Sequence, residues 1–188
     1  MSHLKKLNRR QFLKETGLAG GGLVFAMSMA YSPSVRPGAE SATPFTPNVY
    51  INIRDDESVE IYCHRSEMGQ GIRTSLPQVI ADELEADWKY IKLLQAPGDE
   101  KYGDQNTDGS TSIRKQFDLL RTAGATAREM LIAAGAARWG VPAAECQARH
   151  HAVHHQASGR TASYGSLVSE ATALDAPDEV TFKDPADY

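Results

Sequence analysis

The 188-residue chain is long enough to bury one domain core and too short for two full domains. Hydrophobic residues make up 41% and charged residues 23%, which excludes disorder along the whole length. The net charge of -4 is uneven: Lys5, Lys6, Arg9, Arg10 and Lys14 face only Glu15 before residue 31, leaving 15 basic and 23 acidic residues behind them, and an acidic body argues against a nucleic-acid partner.

The first thirty residues have the anatomy of an export signal: a basic stretch through Lys14, an apolar glycine-rich stretch from Gly17 to Met29, and small residues at Ser28 and Ala30. Within them, Asn8-Arg9-Arg10-Gln11-Phe12-Leu13-Lys14 resembles the twin-arginine motif, with Asn8 where a Ser or Thr is usual. Such a signal implies export of a folded protein to the periplasm by the twin-arginine translocase, the usual reason being a cofactor inserted beforehand. A membrane anchor is the alternative for Leu18 to Met29, although that run is shorter than the roughly 20 residues a span needs. Residues 31–47, rich in Pro, Ser, Ala and Gly, read as a flexible linker.

The body spans residues 48–188. Val49–Ile53 and Val59–Cys63 alternate apolar and polar residues around Asp55-Asp56-Glu57-Ser58, the pattern of a hairpin with a polar turn. After the glycine-rich turn Met68–Gly71, Ser75 reads as the cap of a helix to about Ala86, with Pro77 in its first turn and Gln78 three residues on. Ile91–Ala96 reads as a buried strand and Asp99–Ser112 as a polar loop. Phe117, Leu120, Gly124, Ala127, Leu131 and Ala134 then recur at helical spacing, with Arg121, Arg128 and Arg138 largely off the stripe, until Gly140 and Pro142 stop the helix. The small residues on that stripe predict close packing against another element. Gln147–Gln156 reads as a short exposed hairpin carrying His150, His151, His154 and His155, and Ser163 as the cap of a last helix, Tyr164–Ala173. On a solvated hairpin these imidazoles are surface residues rather than a metal site, and Glu83, Glu85 and Asp87 read as the solvated side and end of a helix. Cys63 and Cys146 read as buried thiols; two cysteines cannot hold an iron–sulfur cluster, which takes four.

Two segments carry chemistry. In Glu67-Met68-Gly69-Gln70-Gly71, between a strand and a helix, glycines Gly69 and Gly71 let backbone approach a flat ligand, and the amide of Gln70 stands uncovered between them. Gln105-Asn106-Thr107-Asp108-Gly109-Ser110-Thr111-Ser112-Ile113-Arg114 places hydroxyls, backbone amides and a guanidinium at the start of the long helix, an arrangement suited to phosphate or pterin oxygens. Each segment has a plainer reading, the first as a tight turn and the second as a self-capping loop.

In this order, the leader and the two segments resemble the molybdenum-binding large subunit of the xanthine dehydrogenase and aldehyde oxidase family, in its exported isoquinoline 1-oxidoreductase beta-subunit type. The resemblance is carried by Ser66 to Pro77, by Gln95-Ala96-Pro97, by Gly109 to Arg114 and by Ala136 to Pro142. It implies an α+β fold of short strands with two main helices, the N-terminal part of a molybdenum-cofactor-binding domain. It sets Gln70, with Gly69 and Gly71, beside the metal's oxo group, and Gly109, Ser110, Thr111, Ser112 and Arg114 along the pyranopterin. The implied cofactor is molybdenum-molybdopterin in its cytosine dinucleotide form, with iron–sulfur clusters on a small partner subunit, and the implied reaction is oxidation of aldehydes or N-heterocycles. Asp108 stands where the family shows a second glycine, and a carboxylate there repels phosphate. Family members are several times longer, and their catalytic glutamate lies beyond the matched region, so no catalytic residue is assigned here. A truncated product, one piece of a split subunit needing the rest of the large subunit, and a non-catalytic exported binding module each account for the length.

Overall fold

The computed structural model describes residues 44–187. The leader expected over residues 1–30 lies outside them, as does most of the linker. Residues 45–47, expected as linker, instead belong to a strand, β1 (Phe45–Asn48), in which Phe45 is buried. That strand opens an antiparallel run with β2 (Ile51–Ile53) and β3 (Val59–Cys63), in which Ile51 pairs with Ile61 and Ile53 with Val59. Alternation then sends Ile51, Ile53, Val59, Ile61 and Cys63 into one core.

Next in the sheet comes β4 (Ile91–Gln95), parallel to β3, a pairing that requires a crossover. Helix α1 (Ile72–Leu84) provides it and turns Ile72, Leu76, Ile80 and Leu84, each four residues apart, onto the core. Contrary to the sequence reading, β4 is a half-exposed edge strand. Helix α1 also starts three residues earlier than expected. Gly71 in the left-handed region ends the turn directly ahead of Ile72, and the Ser75 hydroxyl donates back to the Gly71 carbonyl (3.0 Å) instead of capping. Pro77 is therefore the sixth helical residue, where it withholds one amide from the ladder.

The long helix α2 (Ser112–Trp139) crosses α1 at Gly124, where an added Cβ would lie 2.7 Å from the Ile80 carbonyl oxygen and 3.0 Å from Glu83 Cβ. This close approach is what the stripe of small residues predicted. The helix ends in a Schellman arrangement, with the Val141 amide donating to the Ala136 carbonyl and Gly140 to Ala137. A second sheet of β5 (Cys146–Arg149), β6 (Ala152–His155) and β7 (Arg160–Ser163) packs on α2 through Val153, which meets Gly135. The chain then makes a 3-10 turn, Gly165–Leu167, and a short helix α3 (Val168–Thr172). Ser163 does not cap it. Glu57, in the distant β2–β3 turn, accepts from both the Ser163 hydroxyl (2.6 Å) and the Gly165 amide (2.9 Å).

Two further expectations are corrected. Glu83 is 1% exposed rather than solvated, paired with Arg121 (2.9 Å) and Arg128 (2.7 Å) and accepting from the Lys183 amide (2.7 Å). Arg128 is buried with it and also donates to the Thr181 carbonyl, so the C-terminal segment is clasped to both helices. The histidine hairpin is not a uniformly exposed one. His151 and His155 are buried, His151 between the rings of Tyr90 and Tyr164, and both nitrogens of His154 are engaged by Thr161 and the Arg149 carbonyl. Among the described residues, no three His, Cys, Asp or Glu side chains are placed to hold a metal ion. Cys63 and Cys146 are free and buried, and burial pushes both thiols up. Among the described residues, no helix is long and apolar enough to cross a membrane.

Candidate functional site

Two loops leave the carboxyl ends of neighbouring parallel strands: residues 64–71 follow β3 and lead into α1, and residues 96–111 follow β4 and lead into α2. That edge is where open α/β sheets bind ligands, since adjacent loops there emerge side by side. Two contacts join the loops. The Ser66 amide donates to Thr107 Oγ1 (2.9 Å), and the fully buried Arg65 reaches Asp104 (3.2 Å), leaving its Nε and NH1 without an acceptor among the described residues.

In the first loop, Gly69 and Gly71 both adopt the left-handed region, at φ 94° and 83°, with no atom within 4 Å of where a Cβ would sit. Their amides do not face outward. Glu67 Oε1 accepts from Gly69 (2.6 Å) and Gly71 (3.0 Å), and Oε2 from the Arg73 amide (3.0 Å). The Arg73 and Gly71 amides, with those of Gly69 and Gln70, hold the Glu67 carboxyl below the usual carboxylate range. Gln70 is exposed as expected, but its amide is not uncovered. Oε1 accepts from the Met68 amide (2.6 Å) and Nε2 donates to the Ser66 carbonyl (3.1 Å), partners that fix which amide atom is which.

In the second loop, the Thr111 amide and hydroxyl both donate to the Asp108 carbonyl, and Asn106 Nδ2 donates to the Asp108 carboxylate (2.7 Å). The loops border one cleft of about 440 Å³. Of the predicted residues, Gln70, Gly109, Ser110 and Ser112 line it; Gly69, Gly71, Thr111 and Arg114 do not. Sequence reasoning missed Ile72, Ser75, Thr107 and Ile113 on its walls, and the side chain of Met68, 70% exposed at its mouth. That exposed methionine beside a glycine turn was the available signal. Among the described residues, no cationic side chain lines the cleft, and Asp108 is its only charged one.

The sequence matches the molybdopterin cofactor-binding domain family over residues 2–188. The chain belongs to that family. Its relatives include the beta chain of isoquinoline 1-oxidoreductase from Brevundimonas diminuta, 36% identical over 87% of this chain and 22% of the relative. The membrane-bound aldehyde dehydrogenase [pyrroloquinoline-quinone] of Gluconacetobacter polyoxogenes is 32% identical over 87% of this chain and 21% of its own length. A nicotinate dehydrogenase subunit of Pseudomonas putida is 27% identical over the whole chain and 16% of the relative. This member of the family thus spans about a fifth of the length of its relatives. Among solved structures, quinoline 2-oxidoreductase from Pseudomonas putida 86 shares the fold, at a TM-score of 0.50 and 16% identity over 70% of this chain and 17% of that one. The mixed helix-and-strand architecture is therefore shared with part of that solved enzyme.

Proposed function

We propose that this chain forms one wall of the molybdenum-cofactor site in an exported molybdenum hydroxylase that oxidises aldehydes or N-heterocycles. The observation that carries this reading is the convergence of the two loops on one cleft, which gathers Gln70, Gly109, Ser110 and Ser112. The donor set suits the uncharged, hydrogen-bonding edge of a pterin: a carboxamide, the hydroxyls of Thr107, Ser110 and Ser112, and a loop backbone, with no cationic side chain among the described residues that line the cleft. Gln70 Nε2 carries a second hydrogen beyond the one given to Ser66, and the Thr107, Ser110 and Ser112 hydroxyls complete the set. A phosphate suits this cleft poorly, because Asp108 is its one charge and Glu67 holds the Gly69 and Gly71 amides. In the cytosine dinucleotide form, the phosphates would then meet cations contributed by the rest of the large subunit.

When bound, the molybdenum cofactor supplies the redox chemistry of hydroxylation. This chain's residues hold and orient its edge; the catalytic base belongs to the remaining part of the large subunit, and electrons leave through a small iron–sulfur subunit. The paired Arg9-Arg10 ahead of an apolar stretch supports export of the folded protein through the twin-arginine translocase to the periplasm.

Co-expression with the remaining part of the large subunit and the iron–sulfur subunit tests the reading. Molybdenum should co-purify with the assembly, which should oxidise aldehydes or N-heterocycles with a dye acceptor, whereas the chain alone should do neither. An assembly that forms without molybdenum would instead make the chain a non-catalytic binding module. Changing Arg9 and Arg10 to Lys should hold the protein in the cytoplasm; undiminished periplasmic recovery would refute the export route.

A further inference from the structure

We infer that Glu67 is the positioning residue of the cofactor loop, fixing the turn from which Gln70 reaches the cleft; the inference rests on the reading of that cleft given above. Glu67 is not among the residues that line the cleft. Its carboxylate instead sits on the inside of the turn, where one oxygen binds the amides on either side of Gln70, at Gly69 and Gly71, and the other binds Arg73. These amides stand at the start of α1, where backbone donors lack helical partners and attract negative charge. A carboxylate four residues ahead of Gly71 meets three of them at once, which a neutral side chain with a single acceptor atom cannot do with equal strength.

The arrangement has two consequences. Gln70 is pinned through its neighbours' backbone as well as through its own amide, whose partners Met68 and Ser66 flank Glu67 in sequence. Loss of the carboxylate therefore frees the glutamine without removing it. The second consequence is selectivity. An anion-binding helix end already filled by the chain's own carboxylate disfavours phosphate or a carboxylate ligand at this loop and leaves the uncharged pterin edge as the group that fits.

Two readouts test the inference on the full chain and on the completed assembly. By amide hydrogen exchange, Glu67→Ala in the full chain should speed exchange at Gly69, Gly71 and Arg73 by about tenfold, as expected for loss of charge-assisted hydrogen bonds, with exchange in β3 and α2 unchanged. In the assembly, Glu67→Ala should lose molybdenum to the same degree as Gln70→Ala with an unchanged melting temperature. Glu67→Gln, which keeps one acceptor oxygen, should retain an intermediate amount. If Glu67→Ala keeps full metal while Gln70→Ala loses it, the positioning role is wrong and the site reading stands. If both keep full metal, the site reading itself fails. If metal loss tracks a fall in melting temperature, Glu67 is a structural residue and the inference is overturned.

Discussion

Glu83, near the C-terminal end of α1, and Glu67, just ahead of its N-terminal end, both have carboxyls held below the usual range, by different means. For Glu83, burial pushes the other way and is outweighed by the Lys183 amide and the guanidiniums of Arg128 and Arg121. Glu67 is exposed, and backbone amides alone hold it. The first carboxylate joins three parts of the chain that are far apart in sequence, α1, α2 and the C-terminal segment. The second organises only six neighbouring residues. Charge placed in the interior thus ties down the fold, and charge placed at a helix threshold shapes a loop at little cost to global stability, which is what a site needs if it is to be adjusted without unfolding its scaffold.

The largest expected effect breaks the interior junction. Glu83→Ala leaves the buried Arg128 uncompensated and should lower unfolding free energy by about 3–5 kcal/mol, read by chemical denaturation of the full chain. Because the Glu83 carboxyl is depressed in the folded state, its contribution is fully present above the unfolded value of about 4.3 and is lost as pH falls through the lower folded value. The variant's stability should therefore fall less steeply over that acid range than the wild type's. An equally steep fall would show that Glu83 is not the group being titrated.

Next in size is Gly124→Val. Its branched side chain meets the Ile80 carbonyl and Glu83 and should cost about 1–3 kcal/mol by the same measurement. A smaller effect concerns His151, whose imidazole burial pushes below the ordinary histidine value against the opposing pull of Glu57 and Asp87, with Lys89 reinforcing the burial. Its neutral form belongs to the fold, so stability is complete above the unfolded value of about 6.5 and declines as pH falls toward the folded value. His151→Gln should flatten that part of the profile, and an unchanged slope would assign it to another group.

The scaffold of this contrast was readable in part from the sequence. Alternation over Val49–Ile53 and Val59–Cys63 placed β2 and β3, and Gly140 marked the end of α2, because these signals are local. Strand β1 escaped because Pro47 and Asn48 weaken it as a strand pattern; it is held by long-range contacts such as Asn48 Nδ2 donating to the Ala123 carbonyl. The start of α1 was misplaced because Ser75 carries the usual signature of a cap, while the actual boundary is set by Gly71 and Glu67. Glu83 was misjudged because its partners lie 38 and 45 residues away. At the site, both loops were legible from glycines and hydroxyls ahead of helices. Which donors remain for a ligand was not, since that depends on Glu67 and the Gln70 amide turning back onto their own loop.

That Gln70 acts at the cofactor and not in the fold is tested most directly by molybdenum content, measured by elemental analysis on the assembly carrying Gln70→Ala, with thermal melting of the same samples. A clear loss of molybdenum at an unchanged melting temperature is the expected result, since Gln70 is exposed and bonds only within its own loop. Full molybdenum and full activity in the variant, or an unfolded domain, would contradict that role.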